Sequence, residues 1–174
     1  MIDESVWIQK ARQGDRRAYR HLYERHASAL FRFLHRFSSN RTDVEEWVQR
    51  AFIKAFTQLD TFDERARFSS WLFRIGINEM KSDARRVGTI LTTEPESLPG
   101  VAGEDDIEWN ATMQTFLDEL TESQRMVFVL TEVEGYTHAE IAGMLGFTEG
   151  TSRSLLSRAK QHLRTRWLTE GKRA

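Results

Sequence analysis

At 174 residues, 40% hydrophobic and without cysteine, the chain can form one domain or two small ones and excludes disulfides and thiolate metal sites. Its N-terminus, MIDESVWIQKARQGD, lacks an apolar signal segment, and no run approaches membrane-spanning length, so a soluble cytoplasmic protein without membrane insertion is expected. A formal net charge of −1 speaks against a nucleic-acid binder only as an average, because charge is segregated along the chain.

The first lobe, residues 1–87, holds 17 Lys/Arg against 12 Asp/Glu. Residues 3 to about 13 read as a helix with Val6, Trp7 and Ala11 on one side, broken by Gly14 before the candidate cap Asp15. A long helix follows over 16 to about 37, apolar at Ala18, Leu22, Leu30, Phe33, Leu34 and Phe37, and Ser38-Ser39-Asn40 ends it. Thr42 with Glu45 has capping-box spacing and opens TDVEEWVQRAFIKAFTQLDTF, with Val44, Trp47, Val48, Ala51, Phe52, Ala55, Phe56 and Leu59 in helical period. Its other side carries Asp43, Glu46, Gln49, Arg50 and Lys54, which periodicity alone makes a solvated face. Next, RARFSSWLFRIGINEMKSDARR spans residues 65–86, with Phe68, Trp71, Leu72, Ile75 and Met80 as core candidates. Arg65, Arg67, Arg74, Lys81, Arg85 and Arg86 surround Ser69, Asn78 and Ser82. A basic helix with interleaved aromatics and small polar groups suits phosphate contact and capture of unstacked bases.

Residues 88–106 contain both prolines and no basic residue, a composition that reads as a flexible acidic linker. Nineteen such residues reach about 24 Å as a coil and about 60 Å extended, a little under two turns of duplex DNA. The second domain begins near Ile107, with Trp109, Met113, Phe116, Leu117 and Leu120 on one helix. Thr121 with Gln124 has capping-box spacing and starts another helix carrying Met126, Val127, Phe128 and Leu130, which Gly135 ends.

Residues 135–167 read as helix, tight turn, helix. Thr137 and Glu140 form a capping box, Ile141, Ala142 and Leu145 make an apolar face, and Gly146 suits a left-handed helix end. Phe147 plugs the corner and Thr148 caps a second helix, whose Arg153, Ser154, Ser157, Arg158 and Lys160 lie away from Leu156, Ala159 and Leu163. This is the sequence form of a DNA-binding helix-turn-helix. Residues 149–174 add seven Lys/Arg against two Glu, as counterion release on a phosphate backbone favours. No strand alternation appears, so the chain is expected to be all-α, with two small helical domains, 1–87 and 107–174. The five histidines show no metal-ligand spacing, and no phosphate-cradling glycine loop is present. Each histidine reads as a lone surface residue, and no catalytic residue, metal or cofactor is expected.

With both lobes placed, the chain resembles the extracytoplasmic-function (ECF) group of sigma factors of bacterial RNA polymerase. DVEEWVQRAFIKAF is similar to the segment that grips the polymerase clamp helices of the largest subunit, WLFRIGINEMKSDARR to the part that melts and reads the −10 element, and LTESQRMVFVLTEVEGYTHAEIAGMLGFTEGTSRSLLSRAKQHL to the domain that reads the −35 element. The resemblance implies core polymerase, through its clamp helices and the flap of the second subunit, promoter DNA and an anti-sigma factor as partners. By that resemblance Asp43, Glu46, Trp47, Gln49 and Arg50 face polymerase. Arg67, Ser69, Trp71, Asn78, Ser82, Arg85 and Arg86 lie near the opened −10 strand, and Thr151, Arg153, Ser154, Ser157 and Arg158 meet the −35 element. Two departures stand in the second helix: Ser152 replaces a buried aliphatic residue and Leu155 a basic one, so that Ser152 threatens to bury a hydroxyl with no partner unless Leu155 takes over the packing. The competing reading is a stand-alone helix-turn-helix regulator with a helical sensor domain, which leaves the basic helix at 65–86 without a task.

Overall fold

The computed structural model describes residues 3–87 and 114–170. The expected linker at 88–106 and the expected domain start at Ile107, Trp109 and Met113 lie outside the described residues. The chain divides into two compact units, Met1–Thr92 and Thr93–Ala174. Among the described residues all regular structure is helical.

In the first unit α1 (Glu4–Arg12) buries Ile8 and Ala11. The expected apolar side is corrected here: Val6 is 40% exposed. It stands two residues, about 200° of helix, from Ile8, while Trp7 stacks on His21 at 4.4 Å. Arg12 clamps the far end of the unit, donating to the carbonyls of Leu59 (3.3 Å) and Phe62 (2.7 Å) and pairing with Glu64. Gly14 turns the chain at φ 83°, and the Asp15 carboxylate accepts the Arg17 N–H at 2.8 Å to start α2 (Arg16–His35). Ala18, Leu22, His26, Leu30, Phe33 and Leu34 form its buried stripe.

α3 (Arg41–Thr57) is capped by Asn40, whose side chain accepts the Thr42 N–H at 3.0 Å. The expected Thr42–Glu45 box does not form. The helix starts one residue before Thr42, so Thr42 is already inside the first turn, and Glu45 pairs with Arg41 at 2.7 Å instead. After a 3-10 turn (Leu59–Thr61), α4 (Phe68–Val87) crosses α2 closely enough that a Cβ on Gly76 would sit 2.9 Å from a Leu30 methyl. Ring clusters of Phe33, Phe37 and Phe73, and of Phe62, Phe68 and Trp71, fill the space between helices at 5.2–5.9 Å.

Among the described residues of the second unit, 114–118 are helical, with Phe116 and Leu117 buried. α5 (Glu122–Phe128) begins with the expected Thr121–Gln124 capping box. It then widens into a π turn, Val129–Val133, which no sequence signal announced. The Thr131 hydroxyl donates to the Val127 carbonyl at 2.7 Å, and the Glu134 N–H reaches Val129 five residues back. Gly135 (φ 72°) ends the turn. The Thr137–Glu140 box starts α6 (His138–Leu145), which buries Ile141 and Met144. Gly146 closes it in the left-handed conformation, with its own N–H and that of Phe147 on the Ala142 carbonyl. Thr148 accepts the Thr151 N–H at 3.1 Å, opening α7 (Glu149–Glu170).

Candidate nucleic-acid interface

α7 keeps one stripe inside, Ser152, Leu156 and Ala159, and exposes Thr151, Arg153, Ser154, Ser157 and Arg158. The five expected contact residues therefore share the outer surface of one helix, as the second helix of a helix-turn-helix requires. The Thr151 hydroxyl meets that of Thr148 at 2.9 Å, and Arg153 pairs with Glu149 at 2.8 Å. That exposed ion pair is worth little in water, so the guanidinium can exchange it for a base edge at small cost.

Not every cation of the tail is available to a phosphate. Lys160 holds Glu132 of the π turn at 2.9 Å, and Glu119 receives Arg166 (2.7 Å) and His162 (3.2 Å). Arg166, ahead of His162, keeps the Glu119 carboxyl below its ordinary pKa. These bonds fasten α7 to its own domain.

Ser152 is fully buried, as its place at a usually aliphatic position implied, yet its hydroxyl has a partner: His138 Nδ1, 2.8 Å away at the start of α6. The expected penalty is absent because the first helix supplies a polar atom there. Leu155 is half-buried. The histidine expectation is corrected at His138 and again at His26, which is 9% exposed, tilts against Phe68 at 5.3 Å and meets Glu4 at 2.7 Å. That hydrogen bond is the first cause holding the Glu4 carboxyl below its usual range.

On α4 the residues Arg74, Asn78, Ser82 and Arg85 are exposed at spacings of four, four and three, one stripe of a helix. Arg67 and Arg86 are also exposed and Ser69 is half-buried. Trp71 is a correction: it is 9% exposed, packed between Phe62 (5.2 Å) and Phe68 (5.9 Å), and offers no free ring face to a base. The apolar period that marked it as core outweighs its place in the basic motif.

The polar side of α3 presents Glu46 and Gln49, with Asp43 and Arg50 half-buried. Trp47 is the second correction: at 3% exposure it is core, and its indole N–H donates to Asp83 of α4 at 3.2 Å. Arg50 bridges Glu46 and Asp83, the latter at 3.3 Å. The Trp47 hydrogen bond, then Arg50, holds the Asp83 carboxyl below its ordinary pKa. Lower on the same pair of helices Lys54 pairs with the buried Glu79. Sequence reasoning missed Ile53, which is 58% exposed on the side of α3 that carries Glu46, Gln49 and Arg50. Its signal was an aliphatic residue at spacing four from Gln49, out of phase with the core. Among the described residues no group of three or more His, Asp or Glu is placed to hold a metal ion, and no helix is long and apolar enough to cross a membrane.

Two family descriptions match the chain: Sigma-70 region 2 over residues 22–89, which spans α2 to α4, and Sigma-70, region 4 over residues 111–163, which spans the helix-turn-helix. The RNA polymerase sigma factor NccH of Alcaligenes xylosoxydans xylosoxydans is 32% identical over 177 residues, covering 93% of this chain and 92% of the relative. The ECF RNA polymerase sigma factor SigE of Mycolicibacterium smegmatis is 34% identical over 152 residues; the match takes in 82% of this chain but only 59% of that longer relative. Among solved structures, CnrH in complex with the cytosolic domain of CnrY superposes with a TM-score of 0.75 at 28% identity, covering 94% of this chain and 96% of the other. The sigma factor RpoE of Bartonella quintana, solved with the anti-sigma factor NepR, gives a TM-score of 0.68 at 27% identity over 84% and 94% of the two chains. The stand-alone regulator reading is set aside, since it has no account of the region 2 match.

Proposed function

The chain belongs to the sigma-70 family of RNA polymerase sigma factors, in its ECF group, and from that premise we propose how its surfaces divide the work of promoter selection. The α4 stripe of Asn78, Ser82 and Arg85, with Arg67, Ser69 and Arg86, receives the opened −10 strand: guanidinium groups hold phosphates while the small polar side chains meet base edges. The outer surface of α7 reads the −35 element in the major groove, with Arg153, Ser154 and Ser157 toward bases and Arg158 and Thr151 toward the backbone. The polar side of α3, Asp43, Glu46, Gln49 and Arg50, with Ile53 as an apolar anchor, docks on the clamp helices of the largest polymerase subunit, and the second domain meets the flap of the second subunit. An anti-sigma factor covers these faces when the protein is idle; Ile53, an aliphatic side chain 58% exposed amid polar neighbours, supports such a partner. The protein acts in the cytoplasm as a non-catalytic initiation factor.

The observation that carries this reading is the pairing in one chain of an exposed basic stripe on α4 with a helix-turn-helix whose second helix exposes Arg153 and Arg158. Run-off transcription tests it: the full chain plus core polymerase, on a library of bipartite promoters, is expected to initiate without a cofactor. Absence of initiation across the whole library would overturn it. Within that assay Arg153→Ala is expected to weaken use of the preferred −35 element by about 1–3 kcal/mol and to relax preference at one position. Arg158→Ala is expected instead to weaken all −35 sequences alike and to lower the salt slope by about 1. An unchanged −35 profile in Arg153→Ala removes that residue from the base-reading set.

A further inference from the structure

We propose that the His138–Ser152 hydrogen bond is a positioning pair that sets the roll of α7 and thereby helps decide which −35 sequence the protein selects. The inference rests on α7 being the −35 reader and goes beyond it by placing part of the specificity on a residue of α6 outside the outer surface of α7.

Ser152 belongs to the inner stripe of α7 with Leu156 and Ala159, and at 0% exposure it has no access to water. Its partner stands at the first helical position of α6, directly after Thr137, whose side chain and that of Glu140 satisfy each other's backbone N–H groups. The ring therefore springs from a backbone that is itself pinned by the capping box. Apolar contacts such as those of Leu156 and Ala159 allow one helix to roll and slide against another, because dispersion is weakly directional. A hydrogen bond of 2.8 Å is not so permissive: distance and angle both matter, so one atom pair restrains roll and axial position together.

The leverage is set by geometry. Arg153 and Ser154 follow Ser152 by about 100° and 200° around the helix. With side chains about 5–6 Å from the axis, a roll of about 20° carries their polar atoms about 2 Å sideways. That exceeds the tolerance of a base-edge hydrogen bond, so the facing of the whole outer surface follows the inner contact. The ion pairs Lys160 to Glu132 and Arg166 and His162 to Glu119 lie at least two turns further along α7. Near the base-reading residues, the His138–Ser152 bond ties α7 to α6. A serine hydroxyl can donate or accept, so the bond forms with either tautomer of His138.

The test is transcription by core polymerase with the full chain, wild type or variant, on a library randomised in the −35 element over a constant −10 element. Ser152→Ala and His138→Ala are each expected to change the ratio between the preferred −35 sequence and its single-base neighbours by about fivefold or more. The two changes combined are expected to do no more than either alone, because both act through one bond. His138→Asn, which keeps a polar atom near the position of Nδ1, is expected to retain the wild-type ratios. Thermal unfolding measured in parallel separates stability from selectivity. Uniformly lower activity with unchanged −35 ratios, or additive effects of the two alanines, would overturn the proposal. If the wild-type holoenzyme shows no −35 preference at all, the assignment of α7 fails first, and that outcome is distinct from a wild-type preference that the variants leave unaltered.

Discussion

Phe33→Ala is expected to destabilise the first unit by about 3–5 kcal/mol. Phe33 is fully buried and lies 5.2 Å, centroid to centroid, from both Phe37 and Phe73. Truncation removes the apolar transfer energy of the ring and leaves a cavity that two neighbouring rings cannot both close. A unit of this size holds a total stability of roughly 5–10 kcal/mol, so the loss takes most of it. The basic stripe on α4 and the polar side of α3 both depend on that core. Hydrogen–deuterium exchange on the full chain is the measurement: amides of α2, α3 and α4 are expected to lose protection together, and binding to core polymerase to fall with them. Protection within a few-fold of wild type would mean that the rings repack, and that Phe33 is not central to this core.

Asp83→Ala has the next largest expected effect, about 2 kcal/mol. The carboxylate accepts the indole N–H of Trp47, which is 3% exposed, and takes a second bond from Arg50. Alanine leaves a buried donor with nothing to bond. The Arg50 share is discounted because that side chain is a third exposed and also holds Glu46. Asp83→Asn keeps an acceptor for the indole and is expected to cost less than half as much. The pH dependence has a definite sign. The folded-state pKa of Asp83 lies below the ordinary carboxyl value of 3.8, so its contribution is complete above that value. The contribution is lost as pH falls through the lowered folded-state pKa. Wild type and Asp83→Ala are therefore expected to differ in unfolding midpoint at pH 7, and the gap to narrow in strong acid to what the neutral carboxyl, still an acceptor for the indole, contributes. A gap that persists unchanged at low pH would show that the carboxylate charge has no part in it.

Both predictions concern the packing of α2, α3 and α4, and they show where sequence patterns suffice and where they stop. The buried faces of these helices follow from helical period, because Leu30, Leu34, Val44, Val48, Leu72 and Met80 fall at helical spacings and are buried. Trp47 and Trp71 sit in that same period, yet both also fall inside motifs with an expected binding role. Burial settles them as core: a motif match assigns a segment, whereas the face of each residue is set by the neighbour its helix packs on. Val6 departs from expectation for the related reason that a short helix carries too few apolar residues to define its phase.

What the amino-acid sequence determined alone is the local, short-range part: helix starts at Asp15, Thr121, Thr137 and Thr148, the left-handed stop at Gly146, and the two basic helices that mark the family. Each depends on residues within about four positions of one another, the range over which capping and periodicity act. Only the tertiary structure decided the pairings across the chain: His26 with Glu4, Trp47 with Asp83, Lys54 with Glu79, and Ser152 with His138. These partners are 14 to 36 residues apart, and no local rule says which polar atom will be brought against which. At Ser152 the partner reverses the expected effect: a hydroxyl that burial alone would penalise is the atom that ties the recognition helix to its neighbour.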